Sequence, residues 1–202
     1  MKPYSILPFL LIAFSFSNCC YSQKVIVNAV MENKKASPES DTIYYDFNRP
    51  LTWNDFKGKP DDSHNGGAVT ASGFAFDSQM KSDGTNIYIN IGVYTFFTKN
   101  DSWKKPNINS EYHLLHEQHH FDITRLSAEK LAAELRKAHV TKNNYRTLLT
   151  SIFDAAYKEN SDIQNRYDKE TNHSIDVAKQ REWNSTIDLA IKKLKDSALV
   201  KK

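Results

Sequence analysis

The chain has 202 residues, with 27 lysine and arginine residues against 24 aspartate and glutamate residues, which gives a formal net charge of +3 at pH 7. This mild charge, and the lack of a long lysine or arginine block, argue against nucleic acid as a partner. Once an N-terminal targeting segment is removed, about 180 residues remain, which is enough for one domain with one continuous core.

A secretory signal is predicted at the start of the chain. Lys2 precedes an apolar run, Ile6 to Phe16, that is too short to span a bilayer, so no membrane span is expected. Small residues favour cleavage before Gln23, which makes residues 1–22 a signal peptide and predicts export to the periplasm or the medium. Cleavage there removes both cysteines, so no disulfide forms. In the alternative, Cys19 is lipid-modified and anchors the chain, but the residues before it fit that processing pattern poorly.

Strand signals precede helix signals along the rest of the chain. Residues 23–41 are polar and poorly patterned, and they are expected to form a flexible tether. Runs of β-branched and aromatic residues between turn signals predict strands over residues 42–98, and helical periodicity predicts helices over 110–198. The order indicates an α+β fold, in which mainly antiparallel strands pack on a C-terminal set of long helices in a single domain, residues 42–202.

The most informative motif is His-Glu-Gln-His-His at residues 116–120, a match to the HExxH signature. Positions i and i+4 of a helix project side by side, so His116 and His120 can share one Zn²⁺ while Glu117 reaches its bound water. Ser110 is a suitable N-cap, and the pattern after it predicts one continuous helix, like the active-site helix of zincin-type enzymes. The alternative is a helix whose imidazoles are satisfied by hydrogen bonds or water.

A third ligand must come from the next helix or from the loop after it. If a helix that begins near Thr141 packs antiparallel on the first, counting from the turn sets His120 opposite about Asp162. The candidates are therefore Asp162, Asp168 and His173. His173 follows the break in the helical pattern, so we predict that it turns inward and completes a His₃ site, with Asp168 orienting one imidazole. A helix-capping or surface role is the alternative for His173.

Two further features allow either a chemical or a structural interpretation. Tyr167, close in sequence to His173, is a candidate donor to a developing oxyanion, or else a core tyrosine. Residues 86–97 precede the motif helix and are the candidate edge strand along which a peptide substrate would pair its main chain. An ordinary core strand is the alternative for that segment.

Four separated motifs occur in one order along the chain. They are LTWNDFKG at residues 51–58, HEQHHFDI at 116–123, YDKETNH at 167–173 and QREWN at 180–184. Together they resemble a bacterial family of predicted secreted zinc-dependent proteases, which also carries the label domain of unknown function 922. The resemblance extends from about Asp46 to Leu194 and implies a zinc site more firmly than any substrate. One departure is Ser174, where the family is expected to prefer glycine.

The residues and the resemblance together predict a secreted zinc-dependent hydrolase, specifically a metallopeptidase that acts on peptide or protein substrates. Zinc, about one per chain, would lower the pKa of its bound water, and Glu117 would take the proton and pass it to the leaving amine. The alternative is a non-catalytic envelope or interaction protein that keeps zinc for stability. Four protein ligands would favour that alternative, and a water in the fourth position would favour the enzyme.

Overall fold

The computed structural model describes residues 23–200, and the signal peptide predicted for residues 1–22 lies outside them. Strands come first and long helices follow, so the α+β class predicted from the sequence is confirmed. The elements are β1 (Lys24–Met31), β2 (Thr42–Tyr44), a short 3₁₀ helix (Trp53–Asp55), β3 (Ala68–Val69), β4 (Ser72–Ser82), β5 (Asn86–Thr98), β6 (Trp103–Lys104), α1 (Glu111–Lys137), α2 (Tyr145–Thr171) and α3 (Val177–Val200).

The main sheet is built around β5, which is paired along both edges. β4 runs antiparallel along one edge, from Ser72 opposite Phe97 to Ser82 opposite Ile87. The other edge carries β1, which is parallel to residues 86–93, and then β2, which is antiparallel to residues 96–98. Since β5 has no free edge over residues 86–97, the expectation that it receives a substrate as an added strand is wrong. β5 is a core strand.

The hydrophobic core lies between this sheet and α1. Every second residue of β5 from Ile87 to Phe97 is buried, as the two-residue period of a strand requires. Leu131 and Leu135 of α1 are fully buried against that face together with Ile91. Burial of each such side chain stabilises the fold by about 1.5–3 kcal/mol. The core therefore fixes α1, which carries the motif, to the sheet.

The segment expected to be a tether contains β1. Lys24–Met31 pairs in parallel with residues 86–93, and the side chain of Ala29 is buried. Arg136, near the end of α1, donates a hydrogen bond to the carbonyl oxygen of Ala29 at 2.8 Å. The tether prediction is wrong for these eight residues, because valine and isoleucine favour extended backbone even though the sequence around them is polar.

The ends of α1 and α2 follow capping chemistry. The Ser110 side chain accepts a hydrogen bond from the main-chain N–H of His113, so the predicted N-cap of α1 is confirmed. α2 begins at Tyr145 after Asn144, later than the predicted start near Thr141. The Thr141 hydroxyl instead accepts from the main-chain N–H of Asn144, within the turn that precedes the helix.

α1 and α2 pack antiparallel. Lys130 of α1 contacts Glu159 of α2, while His120, further towards the start of α1, contacts Gln164, further along α2. This arrangement carries the start of α1 to the end of α2, where the predicted ligands meet. None of the helices within residues 23–200 combines the length and the hydropathy needed to cross a membrane.

Candidate metal centre

His116 and His120 lie one turn apart on α1, as the motif predicts, and their side chains converge. The two Nε2 atoms are 3.3 Å apart, and both residues are buried. The helix supplies this geometry, because residues four apart lie above one another on one face.

Asp168 of α2 completes a group of three. Its Oδ1 lies 3.2 Å from His116 Nε2 and 3.1 Å from His120 Nε2. Burial raises the pKa of Asp168, but hydrogen bonds to the two imidazoles outweigh it and hold the pKa well below its ordinary range. For His120, burial lowers the pKa, whereas Asp168 raises it, and the net result is about 9. The carboxylate therefore carries its charge at this centre.

Two buried or half-buried glutamines fix the outer nitrogen of each imidazole. Gln164 Nε2 donates to the main-chain oxygen of His120, so its Oε1 is the atom that faces His120 Nδ1. Gln180 Nε2 donates to Tyr167 Oη, so its Oε1 faces His116 Nδ1 at 2.8 Å. An amide oxygen only accepts, and each Nδ1 must therefore carry a hydrogen. In the neutral imidazoles both Nε2 atoms are then lone-pair acceptors.

This donor set fits a cation. Two Nε2 atoms and one carboxylate oxygen lie within 4.8 Å of one another. Without a metal ion, a proton on His120 Nε2 holds them together, as the raised pKa of His120 indicates, and a metal cation can replace that proton. Imidazole nitrogen and carboxylate oxygen in this ratio are a ligand set that Zn²⁺ accepts. The glutamines resemble the hydrogen-bond partners that orient metal-bound histidines in general.

Tyr167 does not have the position of an oxyanion donor. Its ring stacks on that of His116, with centroids 4.6 Å apart, and the residue is fully buried. Its hydroxyl accepts from Gln180 and donates to the main-chain oxygen of His116 at 3.4 Å. The prediction of a catalytic role for Tyr167 is therefore corrected, because both hydrogen-bonding directions of the hydroxyl are already used. The residue positions the His116 imidazole.

Glu117 lies next to the group and is held by a threonine. The Thr70 hydroxyl lies 2.8 Å from Glu117 Oε2 and 3.1 Å from the main-chain oxygen of Glu117. Within residues 23–200, Oε1 of Glu117 has no hydrogen-bond partner. The side chain is buried in the protein but lines a cavity, so one carboxylate oxygen is left to exchange a proton with a bound molecule.

His173 lies beside the group of three rather than in it. Its Nδ1 is 3.4 Å from Asp168 Oδ1, and a third of its side chain is exposed. Asp168, rather than His173, therefore converges with His116 and His120 in the structure, and the ligand role of His173 stays a prediction. The reason is that α2 remains helical to Thr171, so Asp168 still faces α1, whereas His173 lies past the helix end.

The turn after α2 is strained. Asn172, His173 and Ser174 have φ angles of 47°, 51° and 70°, in the left-handed region that favours glycine. Asn172 is a tolerated helix-ending residue in this conformation. Ser174, where the resemblance leads us to expect glycine, is buried, and its carbonyl oxygen accepts from Tyr112. The backbone thus has a physical reason for glycine at this position.

Two cavities flank the centre and meet at β3. One, of about 290 Å³, is lined by residues 65–68 and 173–175 and by Lys105, Asn107, Ile108, His113, His116 and Glu117. The other, of about 190 Å³, is lined by His64, Ala68, Val69, Thr70, Ser72, His120, Asn160, Gln164 and Asp168. Ala68 lines both cavities.

Over the part of the chain that the structure describes, the main chain of β3 presents a free edge at Ala68. Lys105 N donates to Gly67 O, and Val69 is paired with Trp103 of β6. Since hydrogen bonding alternates along an antiparallel ladder, Gly67 and Val69 bond towards β6, and the N–H and C=O of Ala68 point to the opposite edge. This edge, rather than β5, borders the centre.

Sequence reasoning missed four residues of the site. Thr70, Gln164 and Asn160 lie outside the resembling motifs, and polar residues are usually solvated. Gln180 lies in the QREWN motif, but the sequence alone indicates no role for it. A buried glutamine next to a histidine could be recognised only once α3 was placed against α1.

Residues 101–174 match the model of a family described as "Bacterial protein of unknown function (DUF922)". The matched range contains the three grouped residues, Glu117 and His173, and it ends before Gln180. It is shorter than the range over which the sequence motifs resemble the family. No curated protein and no solved structure matches the chain.

Proposed function

We propose that this chain is an exported zinc-dependent hydrolase, specifically a peptidase. The observation that carries the proposal is the convergence of His116, His120 and Asp168 next to Glu117, at the junction of two cavities. Three protein ligands with space beside them are the pattern of a catalytic zinc site, whereas structural sites use four. Export rests on the N-terminal segment, residues 1–22.

Each residue of the centre has a separate role in the proposed reaction. His116, His120 and Asp168 would hold the metal, with His173 next to Asp168. A bound zinc supplies a Lewis acid, which lowers the pKa of water and polarises a carbonyl group. Glu117 accepts the proton of the attacking water and returns it to the leaving amine, and Thr70 holds the carboxylate in place for both transfers.

A peptide substrate is supported by the free edge of β3. The N–H and C=O of Ala68 are unpaired among the described residues and can accept an extended main chain as an added strand, with one cavity on each side for its side chains. In such a pose the scissile carbonyl passes between β3 and α1, within reach of Glu117. Gln164 and Gln180 keep both imidazoles fixed while this happens.

The test compares Glu117→Gln with Glu111→Gln, a matched change at an exposed glutamate in the first turn of the same helix. Both variants should retain about one zinc per chain by elemental analysis. Glu117→Gln should lose peptide hydrolysis by orders of magnitude, as removal of a general base does, while Glu111→Gln keeps it. A peptide library incubated with and without chelator provides the activity assay.

Two outcomes would contradict the proposal. If protein purified without chelator contains no transition metal and takes up none, the centre is not a metal site. If the protein holds zinc but cleaves nothing in the library, the non-catalytic alternative, in which zinc serves stability, replaces the enzyme.

A further inference from the structure

A buried side-chain oxygen on α2 has no hydrogen-bond partner among the described residues. Only 8% of Asn160 is exposed, and within residues 23–200 its Oδ1 accepts no hydrogen bond. Buried polar atoms in folded proteins are almost always paired, since an unpaired one lowers stability. An exception of this kind beside a candidate centre therefore needs a reason.

The neighbours of Asn160 are satisfied by one another. Ser72 and Thr124 share a hydrogen bond of 2.7 Å between their hydroxyls. Gln164 Nε2 donates to Thr124 Oγ1 at 3.0 Å and to the main-chain oxygen of His120. This local network links β4, α1 and α2 and leaves Asn160 outside it. A purely structural asparagine would be expected to join such a network.

The position of Asn160 gives it access to the site. It lines the 190 Å³ cavity that also contains His120 and Asp168. Asn160, Gln164 and Asp168 are spaced four residues apart and so lie along one face of α2. Eight residues of helix set Asn160 about 12 Å from Asp168, which corresponds to between three and four residues of an extended peptide.

We propose that Asn160 binds a main-chain amide of the substrate, three to four residues from the bond that is cleaved. The inference rests on the proposed peptidase function and adds the subsite that recognises chain length. A carboxamide offers one acceptor and a donor group, which is the complement of a peptide unit. The facing wall of the cavity is β3, whose Ala68 main chain pairs with the same extended chain.

Recognition of this kind depends on the length of the peptide and not on its side chains. The titratable groups that line the cavity are His64, His120 and Asp168, and the last two belong to the centre. The subsite therefore provides no fixed charge partner at Asn160 for a charged side chain. Long peptides should be favoured over short ones whatever their sequence at this position.

The first test uses stability. Asn160→Leu removes the unpaired acceptor at nearly constant volume, so thermal melting should show an unchanged or higher Tm. Asn165→Leu, at an exposed position of α2, is the matched control for helix propensity and added hydrophobic surface. If Asn160→Leu lowers the Tm by several degrees relative to Asn165→Leu, the residue is structural and the proposal is overturned.

The second test uses a peptide cleaved in the library assay, shortened by one residue at a time from each end. In the unaltered protein kcat/KM should fall when the residue three to four positions from the cleaved bond is removed. Asn160→Leu should reduce the ratio of long-peptide to short-peptide kcat/KM by roughly three- to tenfold, the value of one neutral hydrogen bond. An unchanged ratio overturns the proposal and leaves the peptidase function intact.

Peptide binding separates the two proposals further. The same series of shortened peptides, labelled with a fluorophore, is titrated into Glu117→Gln protein with and without Asn160→Leu, and anisotropy reports the Kd. Length-dependent binding that requires Asn160, together with no hydrolysis by the unaltered protein, would contradict the peptidase function alone. Binding that is equally tight in the Asn160→Leu variant would contradict the subsite. Protein that binds no peptide would contradict both the subsite and the peptidase function.

Discussion

Gln180 offers a direct test of how the imidazoles are held. It is 1% exposed, accepts from His116 Nδ1 and donates to Tyr167 Oη. Gln180→Leu keeps the volume but leaves the His116 N–H without its acceptor and the Tyr167 hydroxyl without its donor. Each unpaired buried group costs about 1–3 kcal/mol, so the metal-free protein should lose about 2–6 kcal/mol of stability.

The effect on zinc is separate from this loss. Removal of a group that orients a metal-bound histidine weakens metal affinity by about 10–100-fold, or about 1.4–2.7 kcal/mol. In a domain of this size, 1 kcal/mol shifts the Tm by about 2–4 °C. The rise in Tm on adding saturating zinc should therefore be about 3–11 °C smaller in Gln180→Leu than in the unaltered protein.

The assay is a pair of thermal melts, with chelator and with zinc, alongside a chelator-competition titration for zinc affinity. Gln118→Leu is the matched control, since Gln118 accepts from Leu51 N and donates to Asp122 on another side of α1. It should lower the Tm in both melts equally. If Gln180→Leu also shifts both melts equally and zinc affinity is unchanged, the glutamine does not orient a metal ligand and the reasoning fails.

Three further predictions concern separate parts of the fold. Ser174→Gly should raise the Tm by about 2–4 °C, because glycine adopts the left-handed φ without the strain that costs serine about 1 kcal/mol of stability. A thermal melt with no rise would mean that the turn is unstrained. Asp168→Asn should weaken zinc affinity more than His173→Ala in a competition titration, and the reverse order would transfer the third ligand to His173. Burial raises the pKa of Asp55, but Arg49 and nearby hydrogen bonds hold it below its ordinary value of 3.8. The stabilisation by ionised Asp55 is thus complete above about pH 4 and is lost as the pH falls through the folded-state pKa. The Tm difference between the unaltered protein and Asp55→Asn should therefore shrink in melts below pH 4.

Local patterns predicted the parts of the site that depend on one element. His116, Glu117 and His120 follow from helical spacing alone, and Ser110 follows from capping chemistry. β1 was missed because its partner residues lie more than sixty positions away, and pairing at that separation leaves no local signal beyond a few valines.

The parts that depend on two elements could not be obtained in this way. A turn near Thr141 predicts that His120 lies opposite Asp162. In the structure α2 begins at Tyr145, and His120 contacts Gln164 and Asp168. A shift of two residues changes which face of a helix is presented, since each residue rotates it by about 100°. The choice between Asp168 and His173 therefore depended on the length of a turn, which propensities do not define to that accuracy.

The two walls of the site differ in their expected local stability. α1 and α2 form one wall and are joined to the main core, so their amides should open to hydrogen exchange only in near-global unfolding. β3 forms the other wall and belongs to a two-stranded sheet with β6, which is a marginal structure by itself. The hydrogen bonds that join this wall to α1 and the main sheet follow β3 in the chain: Thr70 donates to Glu117, and Ala71 accepts from Thr98 N and donates to the Ser102 hydroxyl. Amides of β3 should therefore exchange much faster than those of β5. Under the proposed function, a long peptide would enter by local opening of this wall while His116, His120 and Asp168 stay fixed.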